Sequence, residues 1–131
     1  MRRVLGRHTD LLYGLFRIVA GFLFMCHGLQ KMFGVLGGEV QQAGTLAWFA
    51  GVIELVCGFL IMIGLLTSWA AFLASGTMAV AYFMAHQPGG TLPIQNHGEL
   101  AALYAFVFLY IAARGAGPLS VANATRKPAL E

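Results

Sequence analysis

Apolar residues run along this chain in four long stretches, over about 11–30, 45–66, 68–86 and 99–114, and the breaks between them collect glycine and proline. A helix needs roughly 20 apolar residues to cross the hydrocarbon core of a bilayer, so the pattern predicts four membrane-crossing helices. Gly37, Gly38 and Gly44 separate the first two, and Pro88, Gly89, Gly90 and Pro93 separate the last two. Only Leu66, Thr67 and Ser68 stand between the second and third, a turn short enough to make them antiparallel neighbours. Gly115, Gly117 and Pro118 stop the fourth. A soluble bundle would need a polar face on each helix, and none of the four stretches has one. The expectation is an all-α, polytopic membrane protein: one antiparallel four-helix transmembrane domain over residues 1–118, followed by a polar tail over 119–131.

Composition agrees. Of 131 residues, 59% are hydrophobic and 10% charged, against roughly 25% charged in a soluble domain; the mean hydropathy is +0.76. These values speak against a soluble enzyme and a disordered chain. The net charge of +3 lacks the basic stripe that nucleic-acid binding requires. Position says more than number. Arg2, Arg3 and Arg7 precede the first stretch, and Arg114, Arg126 and Lys127 follow the last. Cytoplasmic segments collect Lys and Arg, which predicts both termini, and so the tail, in the cytoplasm of a multi-pass protein of the bacterial inner membrane. The Arg-rich start resembles a signal peptide, but the apolar run from Leu11 to Leu29 exceeds the roughly 7–15 residues of such a core, so it is read as an uncleaved span. Trp48, Trp69, Tyr13 and Tyr110 fall near helix ends, where aromatic rings favour the interface. Cys26 and Cys57 fall at different depths and are expected to be free, packing as small hydrophobes.

Two stripes carry polar residues into the helices. Gly14, Arg17, Gly21 and Gly28 share one face of the first helix, and Gly51, Glu54 and Gly58 one face of the second. Small residues let membrane helices approach closely. Ionisable groups within spans are costly and usually face the bundle interior. Glu54 is placed near mid-membrane. Arg17 lies about 9 Å inside the inner end of its helix, positioned to snorkel or to serve as a structural ion-pair partner of Glu54 across an axial offset of roughly 9 Å.

A second cluster is expected at the outer ends. His27 and Lys31 end the first helix, Tyr82 and His86 the third, and His97 and Glu99 open the fourth, with Asn96 as its N-cap. Converging above Glu54, these groups would form a site for a ligand headgroup. None of the histidines and carboxylates is paired at i, i+3 or i, i+4, so no metal is assigned. No nucleophile–base motif, phosphate loop or haem motif is present.

These residues carry a resemblance to the DoxX family of small four-helix membrane proteins, over about residues 14–121. Its carriers are Arg17 with Gly21; His27-Gly28-Leu29-Gln30-Lys31-Met32-Phe33; the Glu54-centred second helix ending in Gly64-Leu65-Leu66-Thr67; His86 before a glycine loop; Gly98-Glu99; and Gly117-Pro118-Leu119-Ser120. The family's usual Gly-Pro-Gly ending, followed by Ser-Leu-Asp, is altered: no glycine follows Pro118, and Ala122 stands at the aspartate. The family takes its name from a subunit linked to thiosulfate and quinol oxidation. The resemblance implies a membrane subunit or partner of a quinone-linked redox system. Phe22, Phe24, Phe49 and Phe106 would line an apolar slot for the quinone, Glu54 or Glu99 would move protons, and a protein partner would carry electrons. The alternatives are a non-enzymatic anchor or assembly partner, homo-oligomeric or bound to another protein, and a small proton-coupled transporter built around Glu54.

Overall fold

The computed structural model describes residues 3–126, so Arg2, Lys127 and Glu131 lie outside the described residues. Four helices of 15 to 25 residues form the fold: α1 (Thr9–Phe33), α2 (Leu46–Ile63), α3 (Thr67–Ala81) and α4 (Glu99–Arg114). A single 3₁₀ turn, Gly6–His8, leads into α1. α3 continues through a π turn, Tyr82–His86, and a 3₁₀ turn, Gln87–Gly89. Single helical turns at Pro93–Asn96 and Val121–Ala124 flank α4.

Local signals set the ends. Thr45 caps α2, its hydroxyl accepting the Trp48 N–H at 3.2 Å. Gly64, at φ +76°, closes α2 with its N–H on the Leu60 and Ile61 carbonyls, and the Leu65 N–H returns to Leu60 at 3.0 Å. This left-handed closure ends α2 at Ile63, three residues before the sequence-predicted end, and α3 starts one residue earlier than expected.

Gly21, Gly28, Gly51 and Gly58 form the seam between α1 and α2, while Gly14 packs against Leu119. Gly14, Arg17, Gly21 and Gly28 are all buried, as are Gly51, Glu54 and Gly58. A Cβ on Gly21 would lie 2.5 Å from the Met62 nitrogen, and one on Gly58 would lie 2.5 Å from the Met25 nitrogen. The two backbones touch because no side chain intervenes. That contact also fixes the antiparallel register: Gly21 faces Gly58–Met62, and Gly28 faces Leu55.

α3 and α4 meet through Ala70, Ala71, Ala74 and Ser75 on α3; the Ser75 hydroxyl donates to the Ala105 carbonyl at 2.7 Å. α1 and α4 meet through aromatic rings. Phe24 of α1 packs on Phe108 at 4.6 Å between centroids and on Tyr104 at 5.6 Å. The start of α1 and the end of α4 lie at one end of the bundle, where the Tyr13 hydroxyl donates to the Gly115 carbonyl at 2.5 Å. Cys26 and Cys57 are free, and Cys57 is buried.

The outside is apolar. Trp69, Phe106, Phe83 and Phe72 are all more than 60% exposed, a surface that calls for lipid rather than water. Among the described residues, three helical runs are long and apolar enough to cross a membrane: Gly6–Phe33, Leu46–Ile63 and Thr67–Gly89. The fourth expected span meets a helix of 16 residues, packed along α3. Residues 119–126 fold back on the α2–α3 turn, with the Ala122 N–H on the Gly64 carbonyl at 3.1 Å.

Candidate functional site

Glu54 points into the bundle with 2% of its surface exposed. Its Oε1 accepts from Lys31 Nζ at 2.7 Å. The α1–α2 register makes the pair. Lys31 lies one helical turn beyond His27 and leans over Gly51, where a Cβ would sit 2.8 Å from the Lys31 Cβ. The glycine one turn before Glu54 is therefore the gap through which the lysine stem reaches the carboxylate. Lys31 remains 31% exposed while the Glu54 side chain is 3% exposed, so the pair joins a dry carboxylate to the bundle surface. Glu54 Oε2 is buried with no hydrogen-bond partner.

His27 lies one helical turn before Lys31 on the same face of α1. Its ring stands edge-on to Tyr104, 6.3 Å between centroids. Tyr104 completes a group of His27, Lys31, Glu54 and Tyr104, drawn from α1, α2 and α4. Tyr104 is absent from the sequence-predicted site. The available signal is its place on the buried face of α4, in step with Ala101, Phe108 and Ile111: a tyrosine facing a core with its polar tip well inside the helix.

Arg17 does not pair with Glu54. It is fully buried and opposite the last turn of α2, where Nη1 donates to the Ile61 carbonyl at 2.6 Å and to the Met62 carbonyl at 2.9 Å. Nη2 donates to the Leu119 carbonyl. The register puts Ile61 seven residues from Glu54, about 10 Å along the helix, too far for one side chain to serve both. The last carbonyls of a helix lack intrahelical donors and carry its negative dipole end. Arg17 is thus a cationic cap supplied to α2 by a neighbouring helix.

The outer cluster does not assemble as one mouth. Tyr82 and His86 belong to a separate group organised by Asn96. The Asn96 side chain donates to the Tyr82 hydroxyl at 3.2 Å and the Gly90 carbonyl at 3.0 Å, and accepts the Gly98 N–H at 2.9 Å. His86 Nδ1 stands 3.2 Å from the Asn96 carbonyl. Gly98, not Asn96, caps α4. His97 is exposed in a left-handed conformation, φ +59°. Glu99 is exposed in the first turn of α4, where a carboxylate suits the helix dipole. Of the predicted site residues, Glu54, Lys31 and His27 come together. Tyr82 and His86 brace the loop, and His97 and Glu99 face outward. Among the described residues, no three His, Cys, Asp or Glu side chains converge as a metal site.

The comparisons with known proteins fall on the same residues. A family model described as DoxX matches residues 12–87, the stretch that holds Arg17, the glycine seam, the Lys31–Glu54 pair and His86. An uncharacterized protein of Haemophilus influenzae is 39% identical over 126 residues, covering 91% of this chain and 94% of its own length. An uncharacterized membrane protein of Mycobacterium tuberculosis is 35% identical over 97 residues, covering 65% of this chain and 60% of that protein. No solved structure matches. A matched segment that spans more than half of the chain and carries both the seam and the buried ion pair, together with a relative aligned over nearly its whole length, makes this membrane protein a member of the DoxX family.

Proposed function

We propose that the chain crosses the bacterial inner membrane four times, with both termini in the cytoplasm, and acts as the membrane subunit of a quinone-linked redox system. The observation that carries this is the Glu54 carboxylate: buried, held on one oxygen by Lys31, and without a partner on the other. A quinone presents two carbonyl oxygens, for which His27, Lys31 and Tyr104 are the donors at hand. Reduction takes two electrons and two protons. A partner protein supplies the electrons. Glu54 takes up a proton by way of Lys31 and His27, which reach the bundle surface, passes it to the quinone, and repeats the transfer for the second proton.

A second role, a non-enzymatic assembly partner, is favoured by Arg17 and the seam glycines, which serve only to hold helices together. One experiment separates the two. The protein is reconstituted in nanodiscs and titrated with short-tailed ubiquinone and menaquinone analogues, following tryptophan fluorescence and the thermal midpoint. Trp48 lies six residues from Glu54, about 9 Å along α2, near enough to be quenched. Wild type responds and Glu54→Gln does not. A flat titration in wild type removes the quinone role and leaves the assembly role.

A further inference from the structure

The end of the bundle that carries the start of α1 and the end of α4 has a cleft remote in sequence from the Lys31–Glu54 site. It holds about 450 Å³. Leu12, Phe16 and Tyr110 line it, each partly open to the outside, so its floor continues the lipid-facing surface of the helices. Arg3 and Arg114 stand on its wall.

Arg114 is held in place rather than free to sweep. Its guanidinium sits 4.0 Å from the centre of the Tyr13 ring. It donates to the Tyr110 hydroxyl at 3.0 Å and to Asp10 at 3.3 Å. The Asp10 bond is a weak competitor, because that side chain is 71% exposed. Arg7 borders the adjoining hollow together with Arg3. Among the described residues, Arg3, Arg7 and Arg114 border this end of the bundle and only Arg114 is paired with a carboxylate, that of Asp10, which leaves an excess of positive charge beside an apolar trough.

We infer that this cleft binds one anionic phospholipid, its phosphate on Arg114 and Arg3 and the upper part of an acyl chain along Leu12, Phe16 and Tyr110. Both halves of the site are needed to select such a molecule. A planar guanidinium recognises phosphate by a two-point fork, and basic residues at the membrane surface attract anionic lipid. Free phosphate would leave the apolar floor without a partner, and a neutral quinone would leave the guanidinium charge unanswered.

The test is native mass spectrometry of the detergent-purified protein after exchange into equal amounts of phosphatidylglycerol and phosphatidylcholine. Wild type should retain one phosphatidylglycerol in preference to phosphatidylcholine. Arg114→Gln should lower that retention about fivefold, the effect of one basic residue at a lipid surface. Asp10→Asn should raise it, because the competing carboxylate is gone. Arg126→Gln, whose charge lies off the cleft, should leave it unchanged, and circular dichroism confirms that each variant is folded. Equal retention of the two lipids by wild type overturns the proposal. So does an equal loss in Arg114→Gln and Arg126→Gln, a loss in Asp10→Asn, or displacement of phosphatidylglycerol by a short-tailed quinone.

Discussion

Replacing Arg17 with methionine keeps a long unbranched stem and removes every donor. Three carbonyls lose a charge-assisted hydrogen bond: Ile61, Met62 and Leu119. Bonds to a charged group contribute about 1.5–3 kcal/mol each, but three cannot simply be summed. The Ile61 carbonyl keeps the Gly64 N–H at 3.2 Å. Methionine also avoids the several kcal/mol needed to bury a guanidinium. What remains is two carbonyls left without this donor, at about 1–2 kcal/mol each, so the expected net loss is about 2–4 kcal/mol. Cys57, free and 5% exposed, provides the assay: a thiol-reactive dye reports unfolding in detergent as the midpoint at which Cys57 becomes accessible. Hydrogen exchange at Ala122, whose N–H is held by the Gly64 carbonyl, reports release of the segment after Pro118. Arg17→Lys should fall between wild type and Arg17→Met, because one ammonium cannot reproduce two nitrogens that serve different carbonyls. A methionine variant with the wild-type midpoint and a protected Ala122 would refute the cationic cap.

Three further outcomes follow from the same contacts. Lys31→Met leaves Glu54 buried without its cation and should cost about 3 kcal/mol, the low end for a broken buried pair because Lys31 is 31% exposed; Lys31→Met/Glu54→Gln should recover part of that in the same thiol assay, and additive losses would show that the pair is not coupled. Gly51→Ala sets a methyl against the Lys31 stem, whereas Gly76→Ala meets nothing within 4 Å; the first should lower the midpoint by the equivalent of about 1–3 kcal/mol and the second should match wild type or exceed it, since Ala is the better helix former. Asn96→Ala removes three hydrogen bonds from the loop before α4 and should speed hydrogen exchange over residues 87–98 while leaving the α1–α2 seam protected.

The seam was legible because it is periodic: glycines at steps of seven, with Arg17 and Glu54 three or four residues from their neighbouring glycines, must share a face, and those of α1 and α2 are buried. Burial of Glu54 and Arg17 followed from the same count. Their partners did not. The axial offset of roughly 9 Å expected between Arg17 and Glu54 agrees with the register; what the side-chain pattern does not display is that main-chain carbonyls of Ile61, Met62 and Leu119 lie nearer the guanidinium than any carboxylate. The register is set by backbone contacts at Gly21, Gly28 and Gly58, which one chain read alone does not align. The supposed outer mouth divided for a related reason. The π turn at Tyr82–His86 and the helical turn at Pro93–Asn96 redirect side chains that a straight helix followed by an open loop would have sent together. Tyr104 stands in an apolar run with no polar neighbour at helical spacing to mark its face, and only the packing of α4 shows that face to be buried. The segment after Pro118 escaped because it is held through the main-chain groups of Leu119 and Ala122, and main-chain bonds leave no mark in composition. The altered side chain at Ala122 is compatible with that role, since the contact is made by its N–H.

The cationic cap also orders events during synthesis. Arg17 enters the membrane with the first helix, before any of its acceptors exist. Translation of α2 supplies the Ile61 and Met62 carbonyls, and the last acceptor, Leu119, emerges 102 residues after the arginine. Until then the guanidinium holds only its Nη1 bonds to α2, and Nη2 lacks the Leu119 acceptor. A ribosome that stalls within α4 leaves the α1–α2 hairpin unlatched. The Leu119 hydrogen bond thus distinguishes a bundle whose segment after α4 has been made from one whose segment has not.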